Sequence, residues 1–403
     1  MKLLIDWGAS RIKSALTDGN KLYQVKSYEA IPPCNTKDHK YEISSTELHN
    51  KFRHIVDDYL KESNIEGILI CSEMHGFIIV DEEYKPLTNY ISWKDQRYLN
   101  NSNFNGSYVE GYIDNIYSAL SEYNIDNALV LSLPEFLCNI SNKAARINHE
   151  TMATSILNND KIKFNDITQG LLTGGYYGII PICVGIGDHQ CSILGAGNNE
   201  NTISFNLGTG SQISIINKEI ISCATEERPY FNNQKLICIT HIPSGRAFNE
   251  YLGFLNELVT FSDGLILRSY QVSCDFWTYL SKLTLKDLDD STLIFDLAIF
   301  NSAFNFNGNS GISNILEGSL NLKNYLASLV KSYANQYIEL LSEFEPLKSD
   351  YKIILSGGIS RKIPVLKEYF EQKTGYKVEV SEQEETLLGL IILSKEWRYN
   401  EIQ

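Results

Sequence analysis

The chain has 403 residues, enough for two domains or three at roughly 150 residues each. Lys and Arg total 35 against 49 Asp and Glu, and the net charge of −14 argues against nucleic acid as the main partner, which would need a basic face. Hydrophobic residues at 43% and charged residues at 21% rule out a disordered chain, and no apolar run reaches the roughly 18 residues that span a bilayer.

The first ten residues, MKLLIDWGAS, reach an acid at position 6, so no signal-peptide segment is expected. The eight cysteines (Cys34, Cys71, Cys138, Cys183, Cys191, Cys223, Cys238 and Cys274) are scattered with no CxxC pair, and the seven histidines form no HExxH. That pattern predicts buried free thiols in a reducing compartment, so a cytoplasmic protein without a zinc site or a disulfide framework.

The first elements form a hairpin. Leu3, Leu4 and Ile5 make a short apolar strand, and Ile12, Ser14 and Leu16 alternate with Lys13 and Ala15 after a turn at Gly8. Residues 46–61 have helical spacing. Residues 66–71 (EGILIC) predict a strand that runs into a turn at Glu73-Met74-His75-Gly76, with a further strand at 77–80. Residues 178–185 predict a strand and 188–196 a helix. Residues 204–216 (SFNLGTGSQISII) repeat the opening hairpin, with Asn206 standing 200 residues after Asp6. A long amphipathic helix is expected over 320–344, a strand over 351–355 ending at Ser356-Gly357-Gly358, a helix over 364–374, a strand over 375–380 and a helix over 384–397. Strands and helices mixed in this way, with glycine turns at strand ends, predict an α/β architecture of two related halves, 1–198 and 199–403.

Two motifs mislead. Residues 8–14 (GASRIKS) lack the second glycine of a P-loop, and they lead into a strand where a P-loop feeds a helix. Residues 185–190 (GIGDHQ) lack the third glycine of a dinucleotide fingerprint, and Asp188 would set a negative charge where pyrophosphate sits.

The glycine turns offer different chemistry. Exposed backbone N–H groups of two hairpins can hold a polyphosphate. Ser10, Arg11, Lys13, Thr209, Gly210 and Ser211 surround these turns, and Asp6 at a strand end can hold a metal or its water. Asp188 opens a helix whose N-terminus favours the ionised carboxylate, so it can accept a hydroxyl proton during phosphoryl transfer; equally, it can be an ordinary helix cap. Met74, His75, Trp93, Asp95, Gln96 and Arg97 are side chains suited to a polyol, and Gly357-Gly358 leaves a bare shelf for a flat group.

In this order the motifs resemble the FGGY carbohydrate kinases, of the actin/hexokinase/Hsp70 superfamily. LLIDWGASRIKSAL is similar to the first phosphate motif. ILICSEMHGFIIVDEEYKPLTNYISWKDQR resembles the Met-His-Gly and Trp-x-Asp-x-Arg region of ketose kinases. ICVGIGDHQCSILGAG resembles the segment with the catalytic aspartate, ISFNLGTGSQISI the second phosphate motif, and IILSGGISRKIPVLKEYFEQKTGYKVEV with ETLLGLIIL the adenosine motif and final helix. The resemblance implies two ribonuclease-H-like domains with an interdomain cleft, and ATP-dependent phosphorylation of a sugar hydroxyl with Mg2+. It implies Asp188 as general base and Asp6 at the metal. Gly8, Ala9, Ser10, Lys13, Gly208, Thr209, Gly210 and Ser211 would surround the phosphates, and Gly357 and Gly358 the adenosine. Met74, His75, Trp93, Asp95 and Arg97 would line the sugar pocket together with Asp188. The partners implied are small molecules, with neither nucleic acid nor membrane, and the chain would be a monomer or homodimer.

The segments at 206–213, 228–231 and 188–190 are closer to sedoheptulokinase than to xylulokinase, while Met-His-Gly is shared by both. Glycerol kinase fits poorly, because its Asn-Gln-Arg-Glu segment is missing at 71–75. Sedoheptulose is the first expected substrate, xylulose or another ketose or polyol the alternative. A non-catalytic ATP or sugar sensor is disfavoured by retention of Asp6 and Asp188. An Hsp70-like or actin-like ATPase is disfavoured by the sugar-pocket motif. The departures are Trp7 for the usual leucine, Glu73 for a glutamine, Lys94 for an asparagine, and an Asn/Tyr-rich stretch after Arg97 without the family's helix pattern. All four are expected to surround the sugar pocket.

Overall fold

The computed structural model describes residues 1–100, 108–126, 128–141, 145–153, 162–208, 211–216, 226–262, 274–299, 308–344, 347, 350–381 and 384–397. The chain divides into two compact units. One comprises Met1–Gly197, Pro229–Gln234 and Glu384–Gln403, the other Asn198–Arg228 and Lys235–Gln383.

The hydrophobic alternation of the first unit closes a sheet in the order Thr173–Tyr177, Ile180–Cys183, Gly67–Ser72, Lys2–Trp7, Arg11–Thr17, Leu22–Glu29, and Ile186–Gly187 also pairs with Gly67–Ser72. Lys2–Trp7 runs antiparallel to Arg11–Thr17 and parallel to Gly67–Ser72. Ser44 caps the helix Ser45–Leu60 by accepting from the Glu47 N–H, and Leu48, Phe52, Ile55, Val56 and Tyr59 pack onto the sheet. Trp7 belongs to this core at 5% exposure, its ring 6.5 Å from Phe52. Its side chain therefore packs in the core of the first unit.

The stretch after Arg97 is a correction. Tyr108–Tyr123 is a helix, and Tyr112, Ile113, Ile116, Ala119 and Leu120 pack it against Phe77, Ile79 and Val130. Interspersed Asn and Tyr dilute the apolar stripe, but its 3.6-residue period remains. The strand expected at 178–185 is Ile180–Cys183, and it pairs antiparallel with a strand not expected from sequence, Thr173–Tyr177, through a turn at Gly178 with φ +62°.

The second unit repeats the plan. Its sheet runs Glu226–Tyr230, Gln234–Ile242, Ser211–Ile216, Thr202–Asn206, Lys352–Ser356, Lys377–Val380. Thr202–Asn206 is antiparallel to Ser211–Ile216 and parallel to Lys352–Ser356, as Lys2–Trp7 is to its two neighbours. Phe205, Phe248, Tyr333, Tyr337 and Phe370 fill the core between this sheet and the helices Gly245–Ser262, Leu322–Leu340 and Val365–Thr374.

The expected division put everything after residue 198 in the second half. By contacts, the final helix Glu385–Glu396 is part of the first unit. A Cβ on Gly195 would collide with the Glu385 carbonyl, and one on Gly389 with the Cys191 carbonyl, so this helix and Asp188–Gly195 meet backbone to backbone. Of the cysteines, Cys71, Cys138, Cys183, Cys191 and Cys238 are buried free thiols as expected, whereas Cys34 is exposed and Cys223 lies outside the described residues. Among the described residues no helix is long and apolar enough to cross a membrane.

Candidate active site

Strand register brings the two predicted aspartates to one edge. Asp6 is level with Cys71 on the central parallel strand, and Cys71 is level with Ile186 on the next. Asp188 follows two residues after Ile186, where strand gives way to helix. Both carboxylates therefore stand at the C-terminal ends of the two parallel strands that flank Gly67–Ser72, the edge at which open α/β sheets place their ligand chemistry.

Asp6 also lies opposite Lys13 across the hairpin. Lys13 Nζ is 2.8 Å from Glu384 Oε2, a contact 371 residues apart in sequence. Burial pushes the Asp6 pKa up to about 6, with Lys13 pulling it down and Glu384 adding to the rise. The Cys71 thiol, 3.8 Å away, also favours the carboxylate. Among the described residues no three His, Cys, Asp or Glu side chains cluster as a metal cage. Magnesium does not need one, since it keeps waters and takes one or two carboxylates plus substrate phosphates. A single strand-end carboxylate such as Asp6 fits that demand.

Asp188 is partly exposed, and its Oδ1 accepts from the His189 N–H at 2.7 Å. Its backbone is held from behind. Gly187 N–H donates to Thr151 Oγ1 at 3.1 Å, and Gln190 Nε2 donates to the carbonyls of Thr151 at 3.3 Å and Pro229 at 3.1 Å. A Cβ on Gly187 would stand 2.5 Å from Gln190 Oε1 and 3.1 Å from Met74 Sδ, so only glycine fits before the aspartate. Sequence reasoning missed Thr151 and Glu384, because both contacts join segments distant in the chain.

The turn after the central strand carries the predicted polyol residues. Met74 is buried, and His75 adopts φ +61°, a left-handed conformation held without glycine. Gly76 is packed against Tyr90, whose hydroxyl a Cβ would strike. The Glu73 carboxylate is buried under the turn. Its Oε1 accepts from Tyr90 Oη at 2.6 Å and Ser92 Oγ at 3.1 Å, and its Oε2 accepts from Trp93 Nε1 at 3.2 Å.

Asp95 and Arg97 come together, but as partners of one another. Arg97 Nε and Nη2 donate to the two Asp95 oxygens at 2.8 Å each, and Nη2 also reaches Glu42 Oε1 at 2.7 Å. Asp95 is 1% exposed and Arg97 3%. Nη1 meets Glu122 on the helix Tyr108–Tyr123 at 3.2 Å, so the fork ties that helix to the turn. Lys94 Nζ lies 5.8 Å from the Trp93 ring centroid and 5.0 Å from that of Tyr41.

In the second unit, Asn206 is level with Ser356, so the hairpin and the 356–358 turn meet. Leu207 N–H donates to the Ser356 carbonyl at 2.8 Å and Ile359 N–H to the Leu207 carbonyl at 3.0 Å. Gly357 has φ +86°, and a Cβ there would stand 2.6 Å from the Leu207 carbonyl; at Gly358 nothing lies within 4 Å. Ser211 Oγ accepts from Gly208 N–H at 3.2 Å and donates to the Gly208 carbonyl at 2.9 Å. Thr209 and Gly210 lie outside the described residues. In the first hairpin, Gly8 is tight, with the Arg11 carbonyl 2.9 Å from a Cβ position, while Ala9 is partly exposed and Ser10 exposed.

Residues 1–119 match the N-terminal domain of the FGGY family of carbohydrate kinases. Among solved structures the fold is shared with a ligand-bound xylulose kinase from Lactobacillus acidophilus at 16% identity and a TM-score of 0.75, covering 98% of this chain and 89% of that one. It is shared with Plasmodium falciparum glycerol kinase bound to ADP at 17% identity and a TM-score of 0.76, over 99% and 90%. A gluconate kinase from Lactobacillus acidophilus follows at 16% identity and a TM-score of 0.73, over 98% and 89%.

Proposed function

We propose that this chain, a member of the FGGY family of carbohydrate kinases and so a phosphotransferase with an alcohol acceptor, transfers the γ-phosphoryl group of ATP to a terminal hydroxyl of a ketose. The observation that carries the reading is the register placing Asp6 and Asp188 at one strand edge, beside the turn of Met74 and His75. Asp188 accepts the proton of the acceptor hydroxyl. The hydroxyl oxygen then forms a bond to the γ-phosphorus as the bond to the ADP oxygen breaks. Magnesium, when bound, would be held at Asp6 and would neutralise phosphate charge. Gly8, Ala9, Ser10 and Lys13 on one hairpin, and Gly208, Thr209, Gly210 and Ser211 on the other, serve the phosphates, and Gly357 and Gly358 the adenosine. Met74, His75 and Trp93 meet the sugar, while Asp95 and Arg97 hold that segment in place.

Sedoheptulose, giving sedoheptulose 7-phosphate, is the first candidate, on the likeness of segments 188–190, 206–213 and 228–231. Xylulose is the second, since the Met-His-Gly segment suits both. The buried thiols suit a cytoplasmic setting. The deciding experiment incubates the protein with ATP, magnesium and ketoses of five to seven carbons and measures ADP. Release above the sugar-free background with a ketose is expected. No stimulation by any ketose or polyol would overturn the reading.

A further inference from the structure

The residue ahead of the proposed base is a glycine, and glycine does not hold its own conformation. A Cβ on Gly187 would stand 2.5 Å from Gln190 Oε1 and 2.9 Å from the Thr151 carbonyl, so no stiffer residue fits there. Gly187 also brings no side chain to cap the helix Asp188–Gly195. Local sequence therefore leaves the backbone at Asp188 underdetermined, and another part of the chain must fix it.

Thr151 does so on both flanks. Ahead of Asp188, Thr151 Oγ1 accepts from the Gly187 N–H at 3.1 Å. Beyond Asp188, the Thr151 carbonyl accepts from Gln190 Nε2 at 3.3 Å. One threonine thus spans the junction at which strand gives way to helix and at which Asp188 stands. The strand Ile186–Gly187 is held in addition by its pairing with Gly67–Ser72.

Thr151 is itself set by His149. The Thr151 N–H donates to His149 Nδ1 at 3.2 Å and so caps the short turn Glu150–Met152. A ring nitrogen that accepts carries no proton, so the Thr151 hydroxyl, 2.9 Å from the same Nδ1, donates to it. With its proton aimed at the imidazole, Oγ1 presents its lone pairs, and the Gly187 N–H takes one. His149, Thr151 and Gln190 are all buried, so water does not compete for these bonds.

We propose that Thr151 is the positioning residue of Asp188: its hydroxyl and carbonyl set where the base stands, and it acts on turnover only through that aspartate. The role rests on the kinase reading above. It belongs to the chemical step, because a base displaced by about 1 Å costs about a hundredfold in rate.

The test compares two variants of the full chain. Thr151→Val keeps the shape and loses the hydroxyl; Thr151→Ser keeps the hydroxyl and loses the methyl. Both lose some stability, so kinetics are read well below both melting temperatures. In Thr151→Val, kcat should fall about ten- to a hundredfold with the KM for ATP within about twofold, whereas Thr151→Ser should stay within about threefold of the wild type. In the Asp188→Asn background, Thr151→Val should cost no more than about twofold, since a residue that acts through the base has nothing left to position. Wild-type kcat in Thr151→Val would overturn the role, as would an equal loss in both backgrounds or a serine variant as slow as the valine. A wild type that phosphorylates no sugar overturns the kinase reading instead, and hydrogen exchange at the Gly187 amide then decides whether Thr151 holds this junction. Faster exchange in Thr151→Val than in the wild type and Thr151→Ser supports it; equal exchange in all three overturns it.

Discussion

The indole N–H of Trp93 donates to the buried carboxylate of Glu73, which two further donors, Tyr90 and Ser92, share. Burial raises the Glu73 pKa, while these donors and Lys94 pull it back. Three donors converge on two oxygens, an arrangement glutamine cannot match, because its amide would point a donor at a donor. Glu73→Gln should cost about 1–2 kcal/mol and Glu73→Ala roughly 3 kcal/mol. Urea denaturation checks both. Equal midpoints for the wild type and Glu73→Ala would refute the role.

Asp188→Asn should lower turnover by three orders of magnitude or more, the upper range for loss of a general base. The asparagine oxygen still accepts from His189 N–H, so the helix start and ATP binding should survive. Comparing kcat with ATP-induced thermal stabilisation separates the two. Near-normal turnover would remove Asp188 from the base role.

The glycine pair at 357 and 358 should separate folding from nucleotide binding. Gly357→Ala meets the Leu207 carbonyl at a positive φ and should destabilise the second unit by roughly 2 kcal/mol or more. Gly358→Ala meets nothing within 4 Å, so its melting temperature should hold. A weakened ATP affinity in Gly358→Ala, read by calorimetry, would support the adenosine shelf. Wild-type affinity there would argue against it.

Arg97→Ala strands the buried carboxylates of Asp95 and Glu42 and should cost about 3–5 kcal/mol. A small stability loss with a large rise in sugar KM would instead mean that Arg97 contacts the sugar directly. Chemical denaturation beside sugar kinetics gives both readouts.

Burial lowers the His149 pKa to about 4 from an ordinary 6.5. Folding therefore favours the neutral ring, and its stabilising share is complete above pH 6.5 and lost as pH falls toward 4. The loss amounts to about 3 kcal/mol over that window. His149→Gln should lose less stability than the wild type between pH 7 and 4. Parallel stability–pH curves would show that the ring does not titrate with folding.

The strands around the two hairpins, with Gly67–Ser72, Lys352–Ser356 and Lys377–Val380, were legible because hydrophobic alternation is local, whereas Leu22–Glu29 and Gln234–Ile242 were not singled out; the 200-residue repeat from Asp6 to Asn206 emerged as two matching sheets. The helix Tyr108–Tyr123 was missed because its stripe is thinned by Asn and Tyr.

Sequence alone determined the paired hairpins and the aspartates at strand ends, since each is carried by a run of neighbouring residues. Only the tertiary structure decided that Arg97 and Asp95 satisfy one another in the interior, that Trp7 is core, and that Glu384 meets Lys13. It alone brought Thr151 to the Gly187 N–H, one residue ahead of Asp188. Burial and hydrogen-bond satisfaction depend on which distant segments share a space, and no local pattern encodes that.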